Sequence, residues 1–204
     1  MPFRAVLFDL DGVLIFSKEV WFHLLNATAR HFAVPEITRG AFEAGWGQGI
    51  VADVEQFFPL RSVAEVEGYY NAHFMDFARH ITVDGDARSV FAALEAAGLA
   101  AAVVTNTPTQ AAAEILASVA LRPAIVVGST DVLHPKPAPD MLLLALERLG
   151  VAADAAVMVG DTRFDREAAA AAGVFFAGYG THGDARLERL ADLLPLLDGS
   201  KKKA

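Results

Sequence analysis

The chain has 204 residues, with 17 lysines and arginines against 25 aspartates and glutamates, which gives a net charge of −8. This length allows one domain, or a core with a small inserted domain, and the acidic balance argues against a nucleic-acid partner, whose phosphates need a basic face. Cysteine is absent, which excludes disulfides, thiolate nucleophiles and zinc sites built on cysteine.

The apolar stretches of the chain are too short for a membrane protein. None reaches the roughly 18 residues that a membrane span needs, and the longest, 96–104, consists mostly of small residues. The N-terminal apolar run, 5–8, is too short for the apolar region of a signal peptide. We therefore expect a cytoplasmic protein that has no membrane partner.

Five short apolar runs predict strands that are buried on both faces, as in a parallel sheet. In chain order these runs are Ala5–Phe8, Ala101–Thr105, Ala124–Val127, Ala156–Val159 and Val174–Ala177. Helical patterns alternate with them, at Ala87–Ala97, Thr109–Val119, Pro139–Leu149 and Asp165–Ala172. The alternation predicts an α/β fold, with a Rossmann-like parallel sheet core of about five strands and helices on both faces.

A long segment after the first strand breaks this alternation. No strand-like run is present from about Ile15 to Ile81, and glycines and prolines punctuate the segment. Its helical patterns lie at Glu19–Phe32, Arg39–Ala44, Val51–Phe58 and Ser62–His80. We therefore divide the chain into a core, residues 1–14 and 82–204, and an inserted all-helical domain, residues 15–81.

The first strand ends in an acidic motif, Asp9-Leu10-Asp11-Gly12. Residues two apart on a strand point the same way, so both carboxylates can face one pocket. Like charges about 4 Å apart repel by roughly 4 kcal/mol at an effective dielectric near 20. A divalent cation, a raised pKa, or both would relieve that repulsion. An ordinary turn after a strand is the structural alternative.

Three further motifs each have a functional and a structural interpretation. Thr105 and Asn106 end the second strand, where a hydroxyl and backbone N–H groups can bind a phosphate oxygen or cap the next helix. Lys136, flanked by prolines, is either a stiffly held positive charge among anions or a surface-loop lysine. Asp161 and Asp165, four residues apart, can ligate a cation from one helix face or cap that helix. All four motifs follow successive predicted strands, where open α/β sheets place their ligand sites.

This ordered set of motifs resembles the haloacid dehalogenase superfamily. Asp-x-Asp-Gly stands at residues 9–12, the second strand ends in Thr105, Lys136 stands in Lys-Pro-x-Pro, and Gly-Asp-x-x-x-Asp spans 160–165. The similarity runs from about Phe3 to Gly178. It includes a helical cap in the position used by the branch of the superfamily that contains phosphoglycolate phosphatases and β-phosphoglucomutases.

The resemblance implies a Mg²⁺-dependent phosphatase that acts on a small phosphorylated metabolite. It implies that Asp9 is the nucleophile that forms an aspartyl-phosphate, and that Asp11 is the general acid and base. The acid–base aspartate is absent from the dehalogenases of the superfamily, so its presence favours phosphate chemistry. Mg²⁺ would be held by Asp9, by the backbone carbonyl of Asp11 and by Asp161, with Asp165 as outer support or as a further ligand.

The resemblance also implies roles for phosphate-binding and cap residues. Thr105 with the N–H of Asn106, and Lys136, would bind the oxygens of the transferring phosphoryl group. Trp46 and Gln48, in the glycine-rich cap loop 45–49, would meet the leaving group, although Trp46 can equally belong to the core of the cap. Phe16-Ser17 stands where many relatives have Asp-Ser, which predicts a more apolar hinge between core and cap.

Two alternative functions use the same scaffold. A phosphomutase needs cationic cap residues for a second phosphate, whereas the cap loop 45–49 carries no charge. A non-catalytic phosphometabolite-binding protein usually lacks part of the catalytic set, which is complete in this chain. The sequence leaves open whether the protein is a monomer or a homodimer, and which phosphate ester it takes.

Overall fold

The computed structural model describes residues 3–198. In chain order its elements are β1 (Ala5–Phe8), β2 (Ile15–Phe16), α1 (Lys18–His31), α2 (Arg39–Ala44), α3 (Ile50–Phe57), α4 (Val63–His73), β3 (Thr82–Val83), α5 (Ala87–Ala96), β4 (Ala100–Thr105), α6 (Thr109–Ser118), β5 (Ile125–Gly128), α7 (Asp140–Leu149), β6 (Ala156–Gly160), α8 (Arg163–Ala172), β7 (Phe175–Tyr179), β8 (Ala185–Leu187) and α9 (Leu193–Leu197). Among residues 3–198, no helix has both the length and the apolar character needed to cross a bilayer.

Six strands form one parallel sheet in the order β5-β4-β1-β6-β7-β8. All residues of β1 and β6 are buried, because helices cover both faces of the sheet. Alternate residues of β1 enter opposite cores, since Val6 and Phe8 belong to one apolar cluster and Ala5 and Leu7 to the other. This architecture confirms the predicted α/β fold class.

The order of the strands reverses at β1, and this reversal indicates where on the sheet a ligand site would lie. From β1 the chain moves outward to β4 and β5, then crosses to the other side of β1 for β6 and β7. Phe8 lies in register with Val103 of β4 and with Val159 of β6, so the residues after these three strands emerge side by side. Ligands of open α/β sheets bind in the crevice at such a reversal.

The sheet has one strand more than the five that the sequence predicted. The additional strand, β8, has the sequence Ala-Arg-Leu, and its central Arg186 is exposed. Three residues with a charge at the centre carry too weak a hydrophobic pattern to be recognised. The short terminal helix α9 was also not predicted, because Pro195 falls within it.

Two predictions for the inserted segment were wrong in detail. The segment from Ile15 to Ile81 was expected to lack strands, but β2 lies within it and pairs antiparallel with β3, with Ile15 opposite Val83. A two-residue strand is too short to show a period. The helix predicted over Ser62–His80 is α4 followed by a 3-10 helix, Phe74–His80.

The helices α1 to α4 lie between β2 and β3 and pack on an aromatic cluster. The Trp21 ring meets the rings of Tyr70 and Phe74 edge-on, with centroid separations of 5.5 and 5.0 Å. The same apolar cluster continues into the sheet core through Phe8 and Val103. These helices form the proposed cap, for which 15–81 stays the predicted extent.

Candidate active site

Three acidic side chains converge at the carboxyl end of the sheet. Asp9 follows β1, Asp161 follows β6, and Asp165 lies in the first turn of α8. Each offers a carboxylate oxygen, and these oxygens lie within 4.8 Å of one another. Gly12 permits this approach, because it adopts a φ of +90° and a Cβ there would lie 2.2 Å from Oδ2 of Asp161.

A buried lysine lies among these carboxylates. Nζ of Lys136 lies 3.0 Å from Oδ1 of Asp9, and it donates to Oδ1 of Asp165 at 2.6 Å and to the carbonyl oxygen of Val104 at 2.9 Å. Burial alone lowers the pKa of the Lys136 ammonium, but the charges of Asp165 and Asp9 outweigh that effect and raise the pKa above its ordinary value. Lys136 therefore remains cationic and offsets part of the acidic cluster.

Both carboxylate oxygens of Asp165 are engaged by protein groups. Oδ1 accepts from Lys136, and Oδ2 accepts from the backbone N–H of Thr162 at 3.0 Å and from its hydroxyl. Thr162 in turn caps α8, in a reciprocal capping box with Asp165. Of the two predicted roles for Asp165, these contacts favour outer support over direct ligation of a metal ion.

The carboxyls of Asp9 and Asp161 are short of compensating partners. Burial, and then the charge of Asp165, raise the pKa of Asp9 well above its usual range, although Lys136 opposes that effect. The same two causes raise the pKa of Asp161 to about 7. Oδ1 of Asp161 is buried without a hydrogen-bond partner among residues 3–198. A hard divalent cation would satisfy that oxygen and relieve the repulsion, and a donor set made of oxygens suits such an ion.

Asp11 is fixed by three donors that the sequence analysis missed. Its Oδ1 accepts from the hydroxyl of Ser17 and from the indole N–H of Trp21 at 2.9 Å, and its Oδ2 accepts from the hydroxyl of Thr107 at 2.6 Å. Phe16 is half-exposed, whereas Ser17 is fully buried. Ser17, which precedes α1, thus links that helix to the acid–base candidate.

Thr105 and Asn106 are both buried at the end of β4. Oγ1 of Thr105 accepts from the backbone N–H of Thr107 at 3.1 Å. Nδ2 of Asn106 donates to the carbonyl oxygens of Gly47 and of Lys136, both at 2.9 Å, while its Oδ1 is buried without a partner in the described part of the chain. Asn106 thus joins two core loops to the cap loop.

The cap loop 45–49 lies directly over the core site. Gly47 adopts a φ of +87°, and a Cβ there would lie 2.9 Å from Cγ2 of Thr162. The indole N–H of Trp46 is buried without a hydrogen bond of good geometry among residues 3–198, yet it lies close enough to Asp161 to lower the pKa of that carboxyl. Nε2 of Gln48 donates within the cap instead, to Asp53 and Gln56.

A cavity separates the strand ends from the cap. It holds about 600 Å³ of space, part of which is open to solvent. On the core side it is lined by Asp9, Asp11, Thr105 and Asn106, four of the predicted site residues. The cap side is mostly apolar and aromatic, and its wall includes Trp21, Leu25, Phe42, Ile50 and Phe57.

One acidic residue of the cavity, Asp53, was not predicted as a site residue from the sequence. A signal for it was present, because Ile50, Val54 and Phe57 lie on the same face of α3 at helical spacing. A carboxylate on the apolar face of a helix is unusual and therefore informative. Tyr70, which donates to Asp53, also lines the cavity.

Comparison with known proteins connects this geometry to one family. A family model described as haloacid dehalogenase-like hydrolase matches residues 6–179. The chain is 30% identical to a phosphoglycolate phosphatase of Pectobacterium atrosepticum, over 97% of this chain and 93% of that protein. Its fold is similar to that of β-phosphoglucomutase from Clostridium difficile, with a TM-score of 0.81, 14% identity, and coverage of 97% and 98%. It is also similar to CbbY from Rhodobacter sphaeroides in complex with phosphate, with a TM-score of 0.78, 22% identity, and coverage of 94% and 91%.

Proposed function

The chain belongs to the haloacid dehalogenase-like hydrolase family, and from this premise we propose that it is a Mg²⁺-dependent phosphatase of a small phosphorylated metabolite. The observation that carries the proposal is the convergence of Asp9 and Asp161 with Lys136 beneath one cavity. The phosphatase activity of the Pectobacterium relative supports the same reaction class. The reaction would proceed through an aspartyl-phosphate on Asp9.

Asp9 is suited to attack the phosphorus atom. Its Oδ1 accepts from the backbone N–H of Leu10 at 2.8 Å and faces Lys136, so Oδ2 is the oxygen left for the substrate. In the first step Oδ2 bonds to phosphorus while the bond from phosphorus to the ester oxygen breaks. The charge of Lys136 favours the ionised form of Asp9 that this attack needs, because it opposes the rise in pKa that burial and Asp165 cause.

Asp11 is suited to move the two protons that the reaction needs. It lines the same cavity as Asp9, and its three donors fix the position of both oxygens. In the first step Asp11 gives a proton to the departing ester oxygen. In the second it takes a proton from the water that attacks phosphorus, the bond to Asp9 breaks, and inorganic phosphate leaves.

The metal site of the proposal consists of the Asp9 carboxylate, the Asp11 backbone carbonyl and the Asp161 carboxylate. Asp165 would act behind them by holding Lys136. Mg²⁺ bound there would supply positive charge to the phosphoryl oxygens. The hydroxyl of Thr105 and the backbone N–H of Asn106 would bind the same group. Lys136, which faces Asp9, Asp165 and the carbonyl of Val104, would neutralise charge from beneath it, since phosphoryl transfer is catalysed mainly by positioning and charge neutralisation.

The two alternatives are less well supported. A phosphomutase must hold a second phosphate, but no lysine, arginine or histidine lines the cavity among residues 3–198. The similarity to β-phosphoglucomutase, at 14% identity, concerns the fold. A non-catalytic binding protein would have no use for the ordered acid–base residue, Asp11, and its three donors.

Hydrolysis of p-nitrophenyl phosphate tests the proposal. Wild-type protein should release p-nitrophenol with Mg²⁺ and not with EDTA, and Asp9→Asn should abolish turnover because the amide is a poor nucleophile. Asp154→Asn removes an exposed carboxylate and serves as the matched control with wild-type activity. Turnover that survives Asp9→Asn would remove the aspartyl-phosphate mechanism, and so would a failure of fluoroberyllate to bind the wild-type enzyme.

A further inference from the structure

The cap wall of the cavity contains one ionisable carboxyl, Asp53. This residue belongs to α3, is buried, and lines the cavity together with Ile50 and Phe57 of the same helix. It belongs to the cap side of the cavity lining, whereas the catalytic candidates Asp9 and Asp11 belong to the core side. A phosphate ester whose phosphate binds at the strand ends would therefore extend its alcohol part toward the cap side and Asp53.

Two neutral donors fix the orientation of this carboxyl. Oδ1 of Asp53 accepts from Nε2 of Gln48 at 2.8 Å, and Oδ2 accepts from the hydroxyl of Tyr70 at 3.1 Å. The same Gln48 nitrogen also donates to Oε1 of Gln56 at 3.0 Å. Both hydrogens of the Gln48 amide are thus used within the cap, and each oxygen of Asp53 keeps further capacity to accept a hydrogen bond.

No cation offsets Asp53 in the part of the chain that the structure describes. No charged side chain of residues 3–198 is among the causes that shift the pKa of Asp53; Arg39 of the cap pairs with Glu19 at 2.7 and 2.9 Å, and Arg61 lies over the ring of Phe32. Lys18 lies over the Trp46 ring at 5.3 Å and does not line the cavity. Burial accordingly raises the pKa of Asp53 to about 7, although its two donors lower it.

This environment has a cost that a purely structural role does not explain. A buried carboxyl without a charge partner destabilises the folded state when it ionises. A carboxyl of this kind in a cavity is typical of a ligand-binding group. No neighbouring cation in the described part of the chain could attract an anionic group of a substrate to this place. The ionised carboxylate of Asp53 would repel such a group.

We propose that Asp53 is a specificity-determining residue that selects phosphate esters whose alcohol part carries a hydrogen-bond donor, and rejects those whose alcohol part carries an anion. The donor is a hydroxyl or an ammonium group. The rejected class includes carboxylates and second phosphates. This inference rests on the proposed phosphatase function, and it separates this chain from relatives that hydrolyse phosphoglycolate, in which a carboxylate lies at that end of the substrate.

Three two-carbon phosphates that differ at one end test the inference. These are 2-phosphoglycolate, 2-hydroxyethyl phosphate and 2-aminoethyl phosphate, which carry a carboxylate, a hydroxyl and an ammonium group. At pH 8, where Asp53 is ionised, we expect kcat/KM of the wild-type enzyme to be at least about tenfold higher for the hydroxyl or the ammonium ester than for phosphoglycolate. The ratio between those two esters then identifies the preferred donor. A kcat/KM for phosphoglycolate that equals or exceeds both others overturns the inference.

The variant Asp53→Asn tests whether Asp53 causes the preference for the hydroxyl or ammonium ester over phosphoglycolate. The substitution removes the negative charge and keeps the size, so the preference over phosphoglycolate should fall by about tenfold. Glu55→Gln removes an exposed carboxylate two residues away on the same helix and should leave the preference unchanged. An unchanged preference in Asp53→Asn, or an equal loss in Glu55→Gln, contradicts the assignment. If Asp53→Asn does not fold, the wild-type comparison of the three esters remains decisive.

Turnover of p-nitrophenyl phosphate separates this inference from the proposed function. An absence of Asp9-dependent turnover refutes the phosphatase itself. Efficient turnover together with a preference for phosphoglycolate refutes only the role of Asp53.

Discussion

The stability of the protein should fall with rising pH because of Asp53, and Asp53→Asn should remove that part of the fall. Burial raises the pKa of Asp53 from 3.8 to about 7, so between these two values the folded state holds a proton that the unfolded state has released. Stability falls with pH wherever the folded state binds more protons. The contribution of neutral Asp53 is complete below pH 3.8 and is lost as the pH rises through about 7.

The size of this effect follows from the shift. One pKa unit corresponds to about 1.4 kcal/mol, so the full shift amounts to about 4 kcal/mol. We expect the free energy of unfolding of the wild type, minus that of Asp53→Asn, to decrease by about 1.4 kcal/mol per pH unit between pH 4.5 and 6.5. The groups that contact the Asp53 carboxyl, Gln48 and Tyr70, do not change charge in this range.

Urea unfolding at several pH values, in buffer that contains EDTA, measures this difference. EDTA removes metal ions that would otherwise stabilise the native state by binding to the acidic cluster. Titration of Asp9 and Asp161 occurs in both proteins and cancels in the difference. Glu55→Gln is the control and should give a difference that does not vary with pH. Parallel stability curves for the wild type and Asp53→Asn would refute the reasoning.

Three further predictions concern the core site. Lys136→Met leaves the carboxyls of Asp9 and Asp165 buried without their cation, and should reduce the free energy of unfolding by about 3–5 kcal/mol, measured by urea unfolding. Mg²⁺ should raise the melting temperature of the wild type, measured by calorimetry. It should raise the melting temperature of Asp161→Asn much less, because that variant lacks one ligand of the ion. Equal shifts in the two proteins would exclude Asp161 as a ligand. Thr107→Val removes one donor to Asp11 and should lower kcat by about tenfold for an alkyl phosphate. The loss should be smaller for p-nitrophenyl phosphate, because its leaving group needs no proton. Equal losses of kcat for the two substrates in steady-state assays would contradict a role for Thr107 in positioning the acid.

The sheet and its strand ends could be predicted from the sequence because backbone geometry fixes them. The runs before Asp9, Thr105 and Asp161 are apolar and continuous, so each indicates a buried strand and the residue that follows it. Parallel pairing then brings these ends together whatever the rest of the chain does, as the register of Phe8 with Val103 and Val159 illustrates. Only β8 lacked this signal.

The contacts of the cap could not be predicted from the sequence, and the reason is physical. The bonds from Ser17 and Trp21 to Asp11, and from Tyr70 to Asp53, depend on how helices pack against one another and against the sheet. Periodicity identifies the apolar face of a helix, but not the partner that this face meets. Gln48 illustrates the limit, because its place in the cap loop was clear and its engagement by Asp53 and Gln56 was not.

The two halves of the cavity therefore carry different information about function. In the proposed reaction the core half, with Asp9 and Asp11, would bind and transfer the phosphoryl group, which all phosphate esters share. The cap half, with Asp53, would face the part of the ester that differs from one substrate to another. A relative that is 30% identical can preserve the first half completely and still differ in the second. For this reason the reaction class can be carried over from the relatives, whereas the substrate has to be argued from the charge and the hydrogen bonds of the cap wall.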